Sequence, residues 1–347
     1  MSLAQELITP LLNDARALAK QGFATPADID TAMRLGAGHP KGPLEILGEV
    51  APPPVTASPG EAEQPVRAAV VGTGTMATGI AEVLARAGTD TVIVGRSSAR
   101  AESVVRRIGD RLGRAVERGK LSPEERTAIA GRLAGEDDLT AAVGVDLVIE
   151  AVTEQLDVKR QLFAALETAA PGVPLATNTS SFRVDEVNTR VSARERVLAL
   201  HFFNPAPAMR LVEVVGGSES DPELVTRGHA WARGIGKVTV SCRDESGFLV
   251  NRLLVPYLND AVRTCAVAGV TWVTADTSVR EELGHPMGPF ELMDLIGLDV
   301  MVLALETMQH GFGEDRYAPS APLRELAAQG RLGRKTGGGF HDYGNGR

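Results

Sequence analysis

Cysteine is scarce in this 347-residue chain, with only Cys242 and Cys265 present. Two thiols cannot build a disulfide framework, and neither stands in a Cys-x-x-Cys or Cys/His spacing that would hold zinc, so no metal site is expected. Both sit among small apolar residues, the usual setting of buried thiols in a reducing cytosol. Positive charge is short as well. Lys and Arg number 36 against 44 Asp and Glu, and the net charge of −8 argues against a nucleic-acid partner, which needs clustered cations. No stretch approaches 18 uncharged apolar residues, so no membrane span is expected. The opening Met1-Ser2-Leu3-Ala4-Gln5-Glu6 has no basic segment followed by an apolar core. That reads as no secretory signal and a cytoplasmic location. The length leaves room for about two to three domains and a sizeable core.

A dinucleotide-binding pattern stands out against this background. Ala68-Ala69-Val70-Val71 reads as a buried strand, Gly72-Thr73-Gly74-Thr75-Met76-Ala77-Thr78-Gly79 follows, and Ile80 to Arg86 reads as a helix. This is Gly-x-Gly-x-x-Ala in the context that gives the motif its meaning. Gly72 permits the tight turn, Gly74 lets backbone amides approach a pyrophosphate, and Ala77 keeps helix and strand close. The helix start offers N–H groups and the positive end of a dipole to phosphate. Gly72, Gly74, Thr75, Met76, Ala77 and Gly79 are therefore the candidate cofactor contacts. A second strand, Thr91-Val92-Ile93-Val94, ends in Gly95-Arg96-Ser97-Ser98, where an NAD site normally carries an acid for the ribose 2′-hydroxyl. Loss of the carboxylate removes repulsion toward a 2′-phosphate, and Arg96 and Ser97 supply donors for it, so NADP is favoured and NAD remains possible. The competing reading makes Ser97 a helix cap and Arg96 a solvated side chain.

A polar constellation lies further along, in strand-like apolar surroundings: Asn178-Thr179-Ser180-Ser181, His201-Phe202-Phe203-Asn204-Pro205, and Leu211-Val212-Glu213-Val214-Val215. A histidine between Val197-Leu198-Ala199-Leu200 and Phe202-Phe203 is costly to bury unless its ring nitrogens are hydrogen-bonded. Glu213 alternates with Val212 and Val214, which puts it on the opposite strand face from both. A carboxylate bonded to one imidazole nitrogen fixes the tautomer and leaves the other nitrogen to act as a base. The same pair also fits a core histidine satisfied by a neighbouring acid.

These motifs resemble the short-chain L-3-hydroxyacyl-CoA dehydrogenase (3-hydroxybutyryl-CoA dehydrogenase) family over about residues 66 to 347. The likeness rests on the glycine turn, Glu150-Ala151-Val152-Thr153-Glu154, the Asn-Thr-Ser-Ser run, His-Phe-Phe-Asn-Pro, Ser246-Gly247-Phe248-Leu249-Val250-Asn251-Arg252, His285-Pro286-Met287-Gly288-Pro289 and Lys335-Thr336-Gly337-Gly338-Gly339-Phe340. The resemblance implies that His201 is the general base, Glu213 its orienting partner and Ser180 a hydrogen-bond donor to the reacting oxygen. Asn251 would help to hold histidine and substrate. Glu154, Lys159, Asn178 and Lys335 fall at positions near the cofactor, and Asn204 near the substrate. The chain departs from the family in the missing strand-end acid and in Ala77, where the family usually has Gly.

Residues 1–50 repeat part of the C-terminal region at a constant offset and without gaps. Pro10, Asn13, Asp14 and Ala15 match Pro256, Asn259, Asp260 and Ala261, while Asp30-Thr31 matches Asp276-Thr277. His39-Pro40-Lys41-Gly42-Pro43-Leu44-Glu45 matches His285-Pro286-Met287-Gly288-Pro289-Phe290-Glu291. The first copy lacks counterparts of Asn251 and of the terminal Lys-Thr-Gly-Gly segment, so it reads as structural. The expected order is a helical partial repeat at 1–50, a proline-rich tether at 51–65, a Rossmann-like α/β domain with a mostly parallel sheet at 66–243, and an all-α domain at 244–347. Strands are expected at Ala68–Val71, Thr91–Val94, Asp146–Ile149, Leu175–Ala176, Val197–His201, Leu211–Val215 and Lys237–Ser241. The N-terminal copy should pack on a helical surface of the C-terminal domain, and a homodimer is the favoured assembly.

Arg107, Arg111, Arg114 and Arg118 share one face of the helix after the second strand. Such a stripe suits the phosphates of coenzyme A, and the resemblance singles out Arg111 and Arg118. A solvated face paired with Asp110 and Glu117 is the alternative. The expected function is hydride transfer between a nicotinamide cofactor and C3 of a short-chain 3-hydroxyacyl-CoA or 3-ketoacyl-CoA, with His201 and Glu213 as acid and base. A dehydrogenase of free hydroxy acids or carrier-bound hydroxyacyl groups, and a catalytically silent binding protein, stand as rivals.

Overall fold

The computed structural model describes residues 1–50 and 62–344. The chain divides into two compact units, Met1–Pro54 with Glu245–Arg347, and Val55–Asp244. The stretch expected to tether the N-terminal copy lies mostly outside the described residues.

The chain opens with three helices. Ser2 starts α1 (Leu3–Lys20) with a capping box in which Gln5 N donates to Ser2 Oγ and Ser2 N to Gln5 Oε1. Its buried residues, Ala4, Leu7, Ile8, Leu11, Ala15 and Leu18, recur at helical spacing and form one face. Thr25 caps α2 (Pro26–Gly36), and Gly42-Pro43 opens the single turn α3 (Pro43–Ile46).

The second unit is built on an eight-stranded sheet. Its elements run β1 (Arg67–Val71), α4 (Thr75–Ala87), β2 (Asp90–Val94), α5 (Ser98–Glu117), α6 (Pro123–Ala130), β3 (Leu133–Glu136), β4 (Leu147–Glu150), α7 (Leu156–Ala169), β5 (Leu175–Thr177), α8 (Val184–Val187), β6 (Val197–Phe202), β7 (Leu211–Gly216), α9 (Pro222–Gly234) and β8 (Val238–Val240). The strand order is β3-β2-β1-β4-β5-β6-β7-β8, with β1 to β6 parallel and β7 antiparallel to β6. Every residue of β4 and β6 is buried, and apart from Glu150 and His201 both strands are apolar throughout and do not alternate. The core gathers Val70, Ile80, Leu84, Ile93, Leu147 and Trp231 around the sheet.

The expected strands all occur, with ends moved by a residue or two. The edge strand β3 was not expected from the sequence. Its Leu133-Ala134-Gly135-Glu136 has no β-branched residue and alternates half-buried with exposed positions, so it lacks the apolar signature of the central strands.

The remaining helices are α10 (Val250–Ala268), α11 (Trp272–Leu283), α12 (Pro289–Ile296), α13 (Leu298–Phe312) and α14 (Ala321–Ala328). They belong to the same unit as α1 to α3, and α1 packs along α10 and α11. None of the described helices is long and apolar enough to cross a membrane.

The repeat is visible in its hydrogen bonds. Asp30 accepts from Leu44 N at 2.8 Å and Glu45 N at 2.9 Å, and Asp276 accepts from Phe290 N at 2.9 Å and Glu291 N at 3.1 Å. In each copy a buried aspartate from the preceding helix satisfies the start of the next one. Glycine is needed opposite it, because a Cβ on Gly42 would lie 2.1 Å from Asp30 Cγ and one on Gly288 2.2 Å from Asp276 Oδ1. Asp30→Ala takes the acceptor from one buried and one part-buried amide, and should lower unfolding free energy by about 1–3 kcal/mol. Denaturant unfolding checks this; an unchanged midpoint with an unchanged slope would show that the cap carries no stability.

Candidate active site

The carboxyl ends of the parallel strands bring distant segments into one row. In strand order these are Gly95 to Ser97 after β2, the glycine turn after β1, Glu150 to Glu154 at the end of β4, Asn178 to Ser181 after β5, and His201 to Asn204 at the end of β6. This is the rim on which open α/β sheets bind their ligands.

At the glycine turn, Gly72 has φ 136°, and a Cβ there would lie 2.4 Å from Ala151 O. Only glycine fits this turn. Gly74 is the N-cap of α4, makes no side-chain cap bond, and a Cβ on it would meet nothing within 4 Å. The helix start is thus backbone alone and open to approach, with Thr75 and Met76 in its first turn, and it suits the pyrophosphate of a dinucleotide. Ala77 is fully buried. Gly79 does a different job from the others. A Cβ there would come 3.1 Å from Ala206 Cβ and 3.3 Å from Pro207 Cδ, so glycine lets α4 approach the loop after β6. Arg107 braces the turn, its Nη2 donating to Thr73 O at 2.8 Å and Thr78 Oγ1 at 3.0 Å.

At the end of β2, Arg96 is exposed and Ser97 makes no side-chain cap bond to α5. The carboxylate at that helix start comes from Asp137, which follows β3 and accepts from Ser98 N at 3.0 Å and Ser98 Oγ at 2.6 Å. These bonds hold the Asp137 carboxyl below the usual range. Nothing in the sequence marks Asp137, because the strand before it carries no burial pattern.

Beyond β4 lies a buried charged network. Lys159 Nζ contacts Glu150 Oε1 at 2.8 Å and Glu154 Oε2 at 3.1 Å, while Thr177 Oγ1 donates to Glu150 Oε2 at 2.7 Å. Burial pulls the Lys159 ammonium down, but the charges of Glu150 and Glu154 outweigh it and leave the group raised. Glu154 Oε1 accepts from Thr179 Oγ1 at 2.6 Å, Ser180 N at 2.9 Å and Ser181 N at 3.1 Å, with Ser180 Oγ at 3.3 Å. Burial pushes the Glu154 carboxyl up, yet Lys159 and the Thr179 and Ser180 hydrogen bonds hold it below the usual range. Glu154 therefore ties down the turn that carries Ser180.

The antiparallel register of β6 and β7 sets His201 directly opposite Glu213. Their side chains meet at 2.5 Å between Nδ1 and Oε2; His201 is 5% exposed and Glu213 fully buried. Phe203 leans on the imidazole with ring centroids 4.5 Å apart. Asn178 Oδ1 accepts from Phe202 N at 2.8 Å, lacing the end of β5 to β6 beside the histidine. Asn204 is exposed and joined to Pro205 by a cis peptide. Lys237, which the sequence reading did not single out, holds the following loop, its Nζ donating to Ala206 O at 2.6 Å and Met209 O at 2.8 Å.

The arginine stripe divides. Arg111 Nη1 pairs with Glu82 at 3.3 Å, where Asp110 and Glu117 were the acids considered from sequence, and Arg118 is exposed at the end of α5. Asn251 lies in the first turn of α10, and Lys335 pairs with Asp299 at 2.5 Å; both belong to the helical unit.

Comparison with known proteins accounts for most of the chain. Residues 67–245 match the model of the 3-hydroxyacyl-CoA dehydrogenase NAD-binding domain, and residues 3–52 and 247–343 match that of the 3-hydroxyacyl-CoA dehydrogenase C-terminal domain. A 3-hydroxybutyryl-CoA dehydrogenase of Mycobacterium tuberculosis is 41% identical over 280 residues, 80% of this chain and 98% of the relative. The 3-hydroxyadipyl-CoA dehydrogenase of Escherichia coli is 40% identical over 277 residues, 79% of this chain and 58% of that one. The crystal structure of (S)-3-hydroxybutyryl-CoA dehydrogenase from Ralstonia eutropha superposes with TM-score 0.78 at 31% identity, covering 81% of this chain and all of that one. With its glycine turn, its rim of polar residues and a second, partial match to the helical domain at its start, the chain belongs to the 3-hydroxyacyl-CoA dehydrogenase family.

Proposed function

We propose that this protein interconverts short-chain 3-hydroxyacyl-CoA and 3-ketoacyl-CoA, with His201 as acid and base. The reading is carried by the buried His201–Glu213 pair, which stands on the same strand rim as the glycine turn. When bound, the nicotinamide supplies the hydride acceptor in oxidation and the donor in reduction. Glu213 accepts from His201 Nδ1–H and so directs Nε2 toward the substrate as the base. In oxidation Nε2 takes the proton of the 3-hydroxyl; in reduction it returns that proton to the carbonyl oxygen. Ser180 turns its hydroxyl from Glu154 Oε1, 3.3 Å away, to donate to the same oxygen, while Glu154 keeps the serine in place through Ser180 N. Asn178 and Asn204 line the rim beside the histidine. Asn251 and Lys335 enter this proposal on family likeness. Arg118 is the better candidate for a coenzyme A phosphate, since Arg111 already holds Glu82.

A nicotinamide cofactor follows from the family, and NADP is our proposal for its form. A Cβ on Gly95 would lie 3.0 Å from Thr73 Cγ2, 3.1 Å from Ala101 N and 3.2 Å from Ser97 O. The site is too tight to take the usual strand-end acid without displacing its neighbours, which supports the absence of that acid as a built feature. Arg96 and the Ser97 hydroxyl then serve the 2′-phosphate. Asp137 opposes it with a negative charge at the same helix start, and Ser98 absorbs part of that charge.

His201→Ala or Glu213→Gln should lower kcat by on the order of 10² to 10⁴ while the protein stays folded and still binds dinucleotide. The check is nicotinamide absorbance during acetoacetyl-CoA reduction; a His201 variant with near wild-type kcat would remove the histidine from the chemistry.

Arg96→Ala should weaken NADPH by roughly 10- to 150-fold, from about 1.5–3 kcal/mol, and leave NADH nearly unchanged. Asp137→Asn should move preference the other way, toward NADPH. Parallel kcat/KM measurements with both cofactors decide the matter, and equal values in the unmodified protein contradict the proposal.

A further inference from the structure

The two copies of the helical repeat meet as a twofold-related pair. His39 and His285 occupy equivalent positions, are both buried, and stack with ring centroids 4.0 Å apart and planes at 30°. In a self-complementary contact a residue touches its own equivalent only where the twofold axis passes between them. The flanking positions exchange partners as such an axis requires. A Cβ on Gly38 would lie 3.5 Å from Pro286 Cγ, and one on Gly284 would lie 3.7 Å from Pro40 Cγ. The helices behave likewise: α1 packs on its equivalent α10 and on α11, and α10 packs in return on α2, the equivalent of α11. Asp14 and its equivalent Asp260 converge on one guanidinium, with Arg316 Nη1 2.6 Å from Asp14 Oδ1 and Nη2 3.0 Å from Asp260 Oδ2.

A surface that pairs with a copy of itself inside one chain is complementary to the same surface on another chain. Covalent attachment makes the internal pairing intramolecular, so it does not depend on protein concentration. Another molecule at ordinary protein concentration cannot compete with that. We propose that residues 1–50 are a built-in partner: they cover the face of α10 and α11 that would otherwise bind a second copy of this chain, so the full chain is a monomer. This replaces the homodimer expected from sequence by a pseudo-dimer within one polypeptide. It is independent of the substrate and cofactor proposed above.

Light scattering after size exclusion tests the idea. The full chain, loaded at about 100 µM, where any dimer with Kd near 1 µM would be populated, should run at its single-chain mass of 36.6 kDa. The chain begun at residue 62 should run at twice its own mass. In that truncated chain His285→Asp sets two like charges together on the axis and should return it to a monomer, whereas the same change in the full chain should leave the mass unaltered. A dimeric full chain overturns the proposal, as does a truncated chain that folds and stays monomeric. Should the truncated chain fail to fold, the full-chain mass decides by itself.

Discussion

The contact between His201 and Glu213 depends on one register in one strand pair. Because β6 and β7 are antiparallel and Glu213 faces His201 directly, a slip of one residue would turn the carboxylate to the other face of the sheet. Both residues lie in strands buried on both faces, where an unpaired carboxylate costs several kcal/mol. Removing either partner therefore takes a short contact away from a buried polar group, and the apolar residues on both sides pin the strands that carry them. One placement satisfies both buried groups, and the proposed proton transfer would rest on that same placement.

The same economy holds one strand further in. Glu150 and Glu154 would repel each other in a buried setting, and Lys159 between them removes the conflict at 2.8 and 3.1 Å. With its charge balanced, Glu154 can spend its other oxygen on Thr179, Ser180 and Ser181. The end of β4 thereby organises the turn after β5, and Asn178 passes the constraint to β6 through Phe202 N. The rim is a chain of mutual fixations running from the glycine turn to the histidine. Each link joins neighbouring strands, so the row of polar groups is fixed to the sheet.

What the sequence reveals of this arrangement follows from how local each signal is. The glycine turn, the buried strands and the helical repeat are written in consecutive residues, by spacing, apolar runs and repetition at a constant offset. The pairing of His201 with Glu213 was also legible, because each stands out as a polar residue in an apolar strand and such groups need partners. The edge strand β3 was not, since half-exposed Leu133-Ala134-Gly135-Glu136 carries no burial pattern. Asp137 was lost with it. Arg111 was placed on the right helix face, but its partner Glu82 lies on a different helix and no spacing rule reaches it. Glu154 and Lys159 were placed near the cofactor by likeness alone, and the fact that Glu154 holds the Ser180 turn depends on contacts more than twenty residues apart.

The N-terminal copy shows what duplication does to a self-complementary surface. A fragment of about 50 residues has too little interior to fold alone, so it persists only if a complementary face stands ready. Its own equivalent is that face, which explains why the copy keeps the on-axis His39, the capping Asp30 and the Asp14 that reaches Arg316. It also explains what the copy has given up. Position 5 is Gln where the second copy has Asn251, and nothing corresponds to the terminal Lys-Thr-Gly-Gly segment. Residues that make the pairing were retained, and residues the family likeness assigns to chemistry were not. A pairing surface needs only the helices that touch across the axis, so half a domain suffices for it.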